Sequence, residues 1–202
     1  MIRNIVFDFG GVLVDWNPEY LFKDVFRDKS ELDYFLENVC TPGWNEQQDA
    51  GRPLAEAVHA LQQRHPKYRN EIHLYYDQWT TMLRGPIEVN VALLKPLQAN
   101  YRLFGLTNWS AETFPIAYDL YPLFKEFEGI VISGEEKLKK PDERIYLRLL
   151  ERYGLAAGEC LFIDDSINNV QAALSLGFQV VHLQHDTCLK RELQRLGIKG
   201  LD

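Results

Sequence analysis

Apolar residues are laid out along the chain in two textures. Ile2–Phe7 is a short apolar run, rich in β-branched side chains, that stops at Asp8. A run this short without polar alternation suits a strand buried on both faces. Similar runs recur at Tyr101–Leu106, Glu128–Ile132, Cys160–Ile163 and Gln179–Leu183. Between them the apolar positions return at helical spacing, in Pro86–Gln98, Ala111–Leu123, Asp142–Tyr153, Asn168–Leu176 and Thr187–Leu196. This alternation predicts an α/β fold, a parallel sheet with helices on both faces. The stretch from Trp16 to Glu88 departs from it and reads as all-helical. Ser30 followed by Asp33 resembles a capping box opening a helix over Ser30–Val39. Pro53 suits the first turn of a segment in which Leu54, Val58 and Leu61 share a face. Ile72, Tyr75, Tyr76 and Trp79 mark a further amphipathic helix. The pattern therefore predicts a core formed by residues 1–15 and 89–202, with a helical insertion over residues 16–88.

A length of 202 residues, 46% hydrophobic and 25% charged, fits one ordinary globular domain carrying a modest insertion and excludes disordered and collagen-like classes. The 22 basic and 29 acidic residues leave a net charge of −7. An acidic surface repels a polyphosphate backbone, which argues against nucleic acid as partner, though a local site can still take a small anion. Cys40, Cys160 and Cys188 are far apart and odd in number, so no disulfide framework is expected and a reducing cytoplasm fits. The apolar Ile5–Val14 stretch carries Asp8 in its middle and no cleavage site follows, which argues against a secretory leader. No apolar run reaches the roughly 20 residues of a membrane span, so no membrane role is expected.

Ligands of an open parallel sheet bind beyond the carboxyl ends of its strands. The first strand ends in Asp8, within Phe7-Asp8-Phe9-Gly10-Gly11-Val12-Leu13. The second ends in Thr107-Asn108, and the fourth in Asp164-Asp165-Ser166. Lys139-Lys140-Pro141-Asp142 lies between the third and fourth. Three carboxylates, a hydroxyl and an ammonium thus converge on one rim. Apposed carboxylates repel one another and take up protons unless something neutralises them. Mg²⁺ suits this place, because it prefers oxygen ligands and fills its remaining positions with water and substrate phosphate. His182 and His185 have no thiolate nearby and no HExxH pattern, so zinc is not expected. Lys140 and the Thr107 hydroxyl could then hold phosphate oxygens, leaving Asp8 as a nucleophile.

These four segments resemble, in order, the four motifs of the haloacid dehalogenase superfamily: Phe-Asp-Phe-Gly-Gly-Val-Leu at 7–13, Leu-Thr-Asn at 106–108, Lys-Lys-Pro-Asp at 139–142 and Phe-Ile-Asp-Asp-Ser at 162–166 running on to Asn169. The likeness is to the subgroup with a helical C1-type cap inserted after the first strand of a Rossmann-like parallel sheet core, and within it to the glucose-1-phosphate phosphatase type. The resemblance implies a Mg²⁺-dependent phosphatase acting on a small phosphorylated metabolite such as a sugar phosphate. It makes Asp8 the nucleophile and a metal ligand, with the Gly10 carbonyl and Asp165 completing the protein's share of the metal. It assigns Thr107, Asn108 and Lys140 to the phosphoryl group, and gives Asp164 and Asn169 supporting roles. Trp109 is either a wall of the site or core. Trp44, in the cap, either stacks on a sugar or packs within the cap.

One position departs from the family pattern. Most phosphatases of this kind carry an aspartate two places after the nucleophile as general acid and base, and here that place is Gly10. The glucose-1-phosphate phosphatase type also carries glycine there, and an anomeric leaving group needs less proton assistance. An acid relocated elsewhere would make Gly10→Asp gain nothing. Two other functions use the same fold. A 2-haloacid dehalogenase needs Asp8 but no cation, and typically lacks the Asp164-Asp165 pair. A non-catalytic phosphosugar-binding protein would need no nucleophile.

Overall fold

The chain is described here by a computed structural model covering residues 1–201. Its strands are β1 (Asn4–Phe7), β2 (Val14–Trp16), β3 (Leu83–Pro86), β4 (Arg102–Thr107), β5 (Gly129–Ile132), β6 (Cys160–Asp164) and β7 (Gln179–His182). Five of them form a parallel sheet in the order β5-β4-β1-β6-β7. The unbroken apolar runs have a direct cause. Ile5, Phe7, Leu103, Leu161 and Ile163 pack into one apolar cluster, while Val6, Phe104, Leu106 and Phe162 pack into a second. Successive residues of a strand face opposite ways, so a sheet covered on both sides needs both apolar. Gly105 is required in β4 because Phe9 lies across it: a Cβ there would stand 2.3 Å from the ring.

The helices are α1 (Glu19–Val25), α2 (Lys29–Asn38), α3 (Pro42–Asp49), α4 (Leu54–Arg64), α5 (Arg69–Asp77), α6 (Glu88–Val91), α7 (Leu94–Gln98), α8 (Phe114–Leu120), α9 (Ser133–Glu136), α10 (Glu143–Tyr153), α11 (Ile167–Ser175) and α12 (Leu189–Arg195). Helices α1 to α5 lie between β1 and β4 and close around an aromatic centre in which Phe22 meets Phe35 at 4.8 Å and Tyr75 at 5.9 Å. Among the described residues no helix is long and apolar enough to cross a membrane.

The inserted stretch is not wholly helical. Strands β2 and β3 pair antiparallel where the chain leaves the core and where it returns. Strands of three and four residues are too short for alternation to register in the sequence. Helix α2 starts at Lys29, not Ser30, because the Asp28 side chain accepts from Ser30 N at 2.9 Å and provides the cap. Pro53 sits just outside α4 rather than in its first turn. The single helix expected over Pro86–Gln98 is two, α6 and α7. They part at Ala92–Leu93, where Pro96 lacks the N–H that would bond back to Ala92. Pro122 holds Tyr121 extended, at φ −119° and ψ 107°, and ends α8.

Candidate active site

The parallel registers bring the chemistry together. Phe7 lies opposite Gly105 on β4 and Ile163 on β6. The next residue, Asp8, therefore stands beside Asp164 and near Thr107, and its N–H donates to Ile163 O at 2.9 Å.

Lys140 is 1% exposed. Its ammonium donates to Leu106 O at 2.8 Å and Asp164 Oδ2 at 2.7 Å, and lies 3.0 Å from Asp8 Oδ1. Burial opposes its charge, but Asp8 and Asp164 outweigh that and hold it above the usual lysine range. Asn108 anchors this lysine: its Nδ2 donates to Lys140 O at 3.0 Å and its Oδ1 accepts from Lys140 N at 2.8 Å. Asp164 is likewise occupied, accepting from Ser166 N at 2.8 Å and Asn169 Nδ2 at 3.0 Å besides Lys140.

Asp165 differs from Asp164 in being exposed. Asp8, Asp164 and Asp165 each offer an oxygen within 4.8 Å of the others. Burial pushes Asp8 up to about 7; Lys140 pulls against it, while Asp164 and Asp165 add to it. Asp165 is raised as well, first by burial and then by Asp164. Three carboxylates against one ammonium make a cradle short of positive charge. Gly11, at φ +71°, lets Asp165 close on the loop after β1, since a Cβ there would stand 2.4 Å from Asp165 Oδ2. The donors are all hard oxygens, and no histidine joins them among the described residues, so the set fits Mg²⁺. Thr107 is fully buried and its Oγ1 has no hydrogen-bond partner. A buried hydroxyl left this way is costly unless something else fills its place.

A cavity of about 690 Å³ opens above this cradle, lined on the sheet side by Asp8, Gly10, Lys140 and Asp165 and on the helical side by Asn45, Asp49 and Tyr75. A side cavity of about 80 Å³ is lined by Gly10 and Asp49 together with Trp16, Trp79 and Trp109. Trp109 thus serves as a wall and as core, packing edge-on against Trp79 at 5.7 Å. The indole N–H groups of Trp16 and Trp109 are buried without partners. Trp44 borders neither cavity. It packs edge-on against Tyr75 at 5.1 Å, because α3 turns Asn45 and Asp49 to the cavity and Trp44 inward. Asp49 was not singled out in the sequence. The available signal was its position four residues after Asn45, on one face of a helix.

The sequence profile of the haloacid dehalogenase-like hydrolases matches residues 2–177. A sesquiterpene phosphatase of Aspergillus oryzae is 27% identical over 95% of this chain and 94% of its own. The magnesium complex of a haloacid dehalogenase family enzyme from Bacteroides thetaiotaomicron shares the fold at TM-score 0.75 and 21% identity, over 96% of this chain and 98% of that one. The L-2-haloacid dehalogenase of Xanthobacter autotrophicus, with chloropropionic acid covalently bound, superposes at TM-score 0.66 and 19% identity, over 100% of this chain and 86% of that one.

Proposed function

The chain belongs to the haloacid dehalogenase-like hydrolases, and from that premise we propose that it is a Mg²⁺-dependent phosphatase working through an aspartyl phosphate on Asp8. One observation carries this reading: three carboxylate oxygens lie within 4.8 Å of one another, with a single, fully engaged ammonium for company. A dehalogenase would leave that cradle without a use. Asp8, the Gly10 carbonyl and Asp165 would hold the ion. Bound there, Mg²⁺ would supply the positive charge that keeps Asp8 ionised and offsets the phosphate oxygens.

The remaining chemistry belongs to the chain itself. Asp8 attacks phosphorus and the ester oxygen leaves. Lys140, already 3.0 Å from Asp8 Oδ1, follows the charge onto the transferred group. The unpartnered Thr107 hydroxyl donates to a phosphoryl oxygen. Water then attacks phosphorus and releases Asp8. The helical insertion acts as a cap closed over the cavity, joined to the core by Lys139–Glu46 at 2.8 Å and by Leu54 N to Glu112 Oε1 at 2.8 Å. Closure excludes bulk water and opening admits substrate.

The substrate is a small phosphate monoester, with glucose 1-phosphate the first candidate from motif resemblance. A terpenyl phosphate belongs beside it, because a relative is a sesquiterpene phosphatase and three tryptophans wall the side cavity. The free cysteines, two buried and one exposed, suit a cytoplasmic setting. The test is a phosphate-release and halide-release panel with and without Mg²⁺. Phosphate release that requires Mg²⁺ is expected. Metal-independent halide release without phosphate release would overturn the reading, and saturable binding without turnover would make the protein a sensor.

A further inference from the structure

Gly10 has no side chain, and a Cβ built on it meets nothing within 4 Å. The loop after β1 therefore offers no acid to the departing ester oxygen, and the space for one is open. Asp49, at the last turn of α3, borders both cavities that Gly10 borders, including the side cavity of about 80 Å³. The two residues thus face one small space from opposite sides, one from the core and one from the cap.

Building on the phosphatase reading, we propose that Asp49 is the general acid and base of the reaction, delivered by the cap into the place that Gly10 leaves open. As the phosphorus–oxygen bond of the ester breaks, the Asp49 carboxyl gives its proton to the departing oxygen. The products are a neutral alcohol, phosphoryl-Asp8 and the Asp49 carboxylate. Asp49 then takes a proton from the attacking water. The water oxygen bonds to phosphorus as the Asp8–phosphorus link breaks, which restores free Asp8 and protonated Asp49 and releases phosphate.

The surroundings of Asp49 suit that task. Tyr76 Oη donates to Asn45 Oδ1 at 2.9 Å, which fixes the amide so that Asn45 Nδ2 donates to Asp49 Oδ2 at 3.2 Å. Gln48 Nε2 in turn donates to Tyr76 Oη at 3.0 Å. One carboxyl oxygen is thereby held, and the residue keeps part of its surface open to the cavity. Burial, and then Glu46, push Asp49 up to about 7, while Lys139 and the Ser110 backbone N–H pull against them. The Lys139 charge is shared with Glu46 at 2.8 Å. Tyr75 and Tyr76 face Asp49 from α5, and burial holds both well above the usual tyrosine range. Cys40, also lining the main cavity, is raised by burial in the same way. An acid that titrates near neutrality is the kind that transfers a proton most effectively. Because Asp49 rides on the cap, proton donation is coupled to closure.

The decisive comparison uses the full-length, Mg²⁺-loaded protein and two esters, an alkyl phosphate such as a sugar phosphate and dinitrophenyl phosphate, whose leaving group needs no proton. Asp49→Asn should lower the ratio of kcat/KM on the alkyl ester to that on the aryl ester by about 10²–10⁴-fold. The alkaline fall of kcat near pH 7 on the alkyl ester should vanish with it. Gly10→Asp, which puts a carboxyl into the open place, should restore the alkyl ester in the Asp49→Asn background. An equal loss on both esters, or none on either, would overturn the assignment while the wild type still turned over. If the wild type released phosphate from neither ester, the phosphatase reading itself would fall. Turnover of the aryl ester by Asp49→Asn also shows that the variant is folded.

Discussion

Asp8 and Asp49 are both carboxylates that burial pushes up to about 7, yet they sit in opposite settings. Asp8 stands on the sheet rim among charges: an ammonium at 3.0 Å, two further carboxylates, and a backbone N–H donating to its Oδ1 at 2.7 Å. Asp49 stands on the cap beside an amide and aromatic rings, and the nearest ammonium is shared with Glu46. A divalent cation held on the rim would lower the proton affinity of Asp8 and free it to act as the proposed nucleophile. The cap offers Asp49 no such cation, and in the proposed reaction it delivers its proton to the leaving group. Two carboxyls that burial pushes in the same direction would thus be driven to different roles by their neighbours. The rim is further held together by hydrogen bonds among Lys140, Asp164, Asn108 and Asn169.

The largest expected effect is on the rim. Asp8→Asn should cut phosphate release on the order of 10⁶-fold while circular dichroism stays unchanged. A near-normal rate would remove Asp8 from the chemistry and with it the contrast. Chelating divalent cations should cost about 10³-fold, the several kcal/mol a metal supplies to the developing charge, and Mg²⁺ should restore the rate. Lys140→Met leaves Asp8 and Asp164 buried against each other without their ammonium. Chemical denaturation should show a loss of about 3–5 kcal/mol; a stable variant would mean the rim is less closely coupled than its distances indicate.

Thr107→Val removes a buried hydroxyl that has no partner in the chain. Activity should fall by about 10–100-fold, the worth of one hydrogen bond to a charged group, with stability unchanged or raised. The smallest effect belongs to the cap and is one of stability. Asp49 goes from the ordinary 3.8 to about 7 on folding, so between those values the folded state holds the extra proton. Stability therefore falls as pH rises through that window and the cost is fully present above it. Asp49→Asn should raise Tm at pH 8 by several °C and have little effect at pH 4, as read by thermal unfolding. A lower Tm at pH 8 would show that the carboxylate is stabilising.

Much of the rim was legible in the sequence because its residues follow strands, and strand ends are read from where apolar runs stop. Asp8, Thr107, Asp164 and Asp165 were found this way, and parallel pairing brought them together without further information. Asn108, expected at the phosphoryl group, lines the cavity and also holds the Lys140 backbone through its side chain. Sequence order does not show which way an amide turns. The cap was harder to read. Its helices announced themselves by spacing, but Trp44 and Asp49 lie five residues apart on one helix, and only tertiary packing decides which faces the cavity. The β2–β3 ribbon was missed because its strands are too short to show a period.

The central claim is that Asp8 takes the phosphoryl group. Mixing the Mg²⁺-loaded protein with a turning-over phosphate ester, quenching in acid within one turnover and weighing the peptides tests it directly. One added phosphoryl group is expected on the peptide carrying Asp8, and none in Asp8→Asn. Full turnover with that peptide never modified, or the group found on another residue, would contradict it.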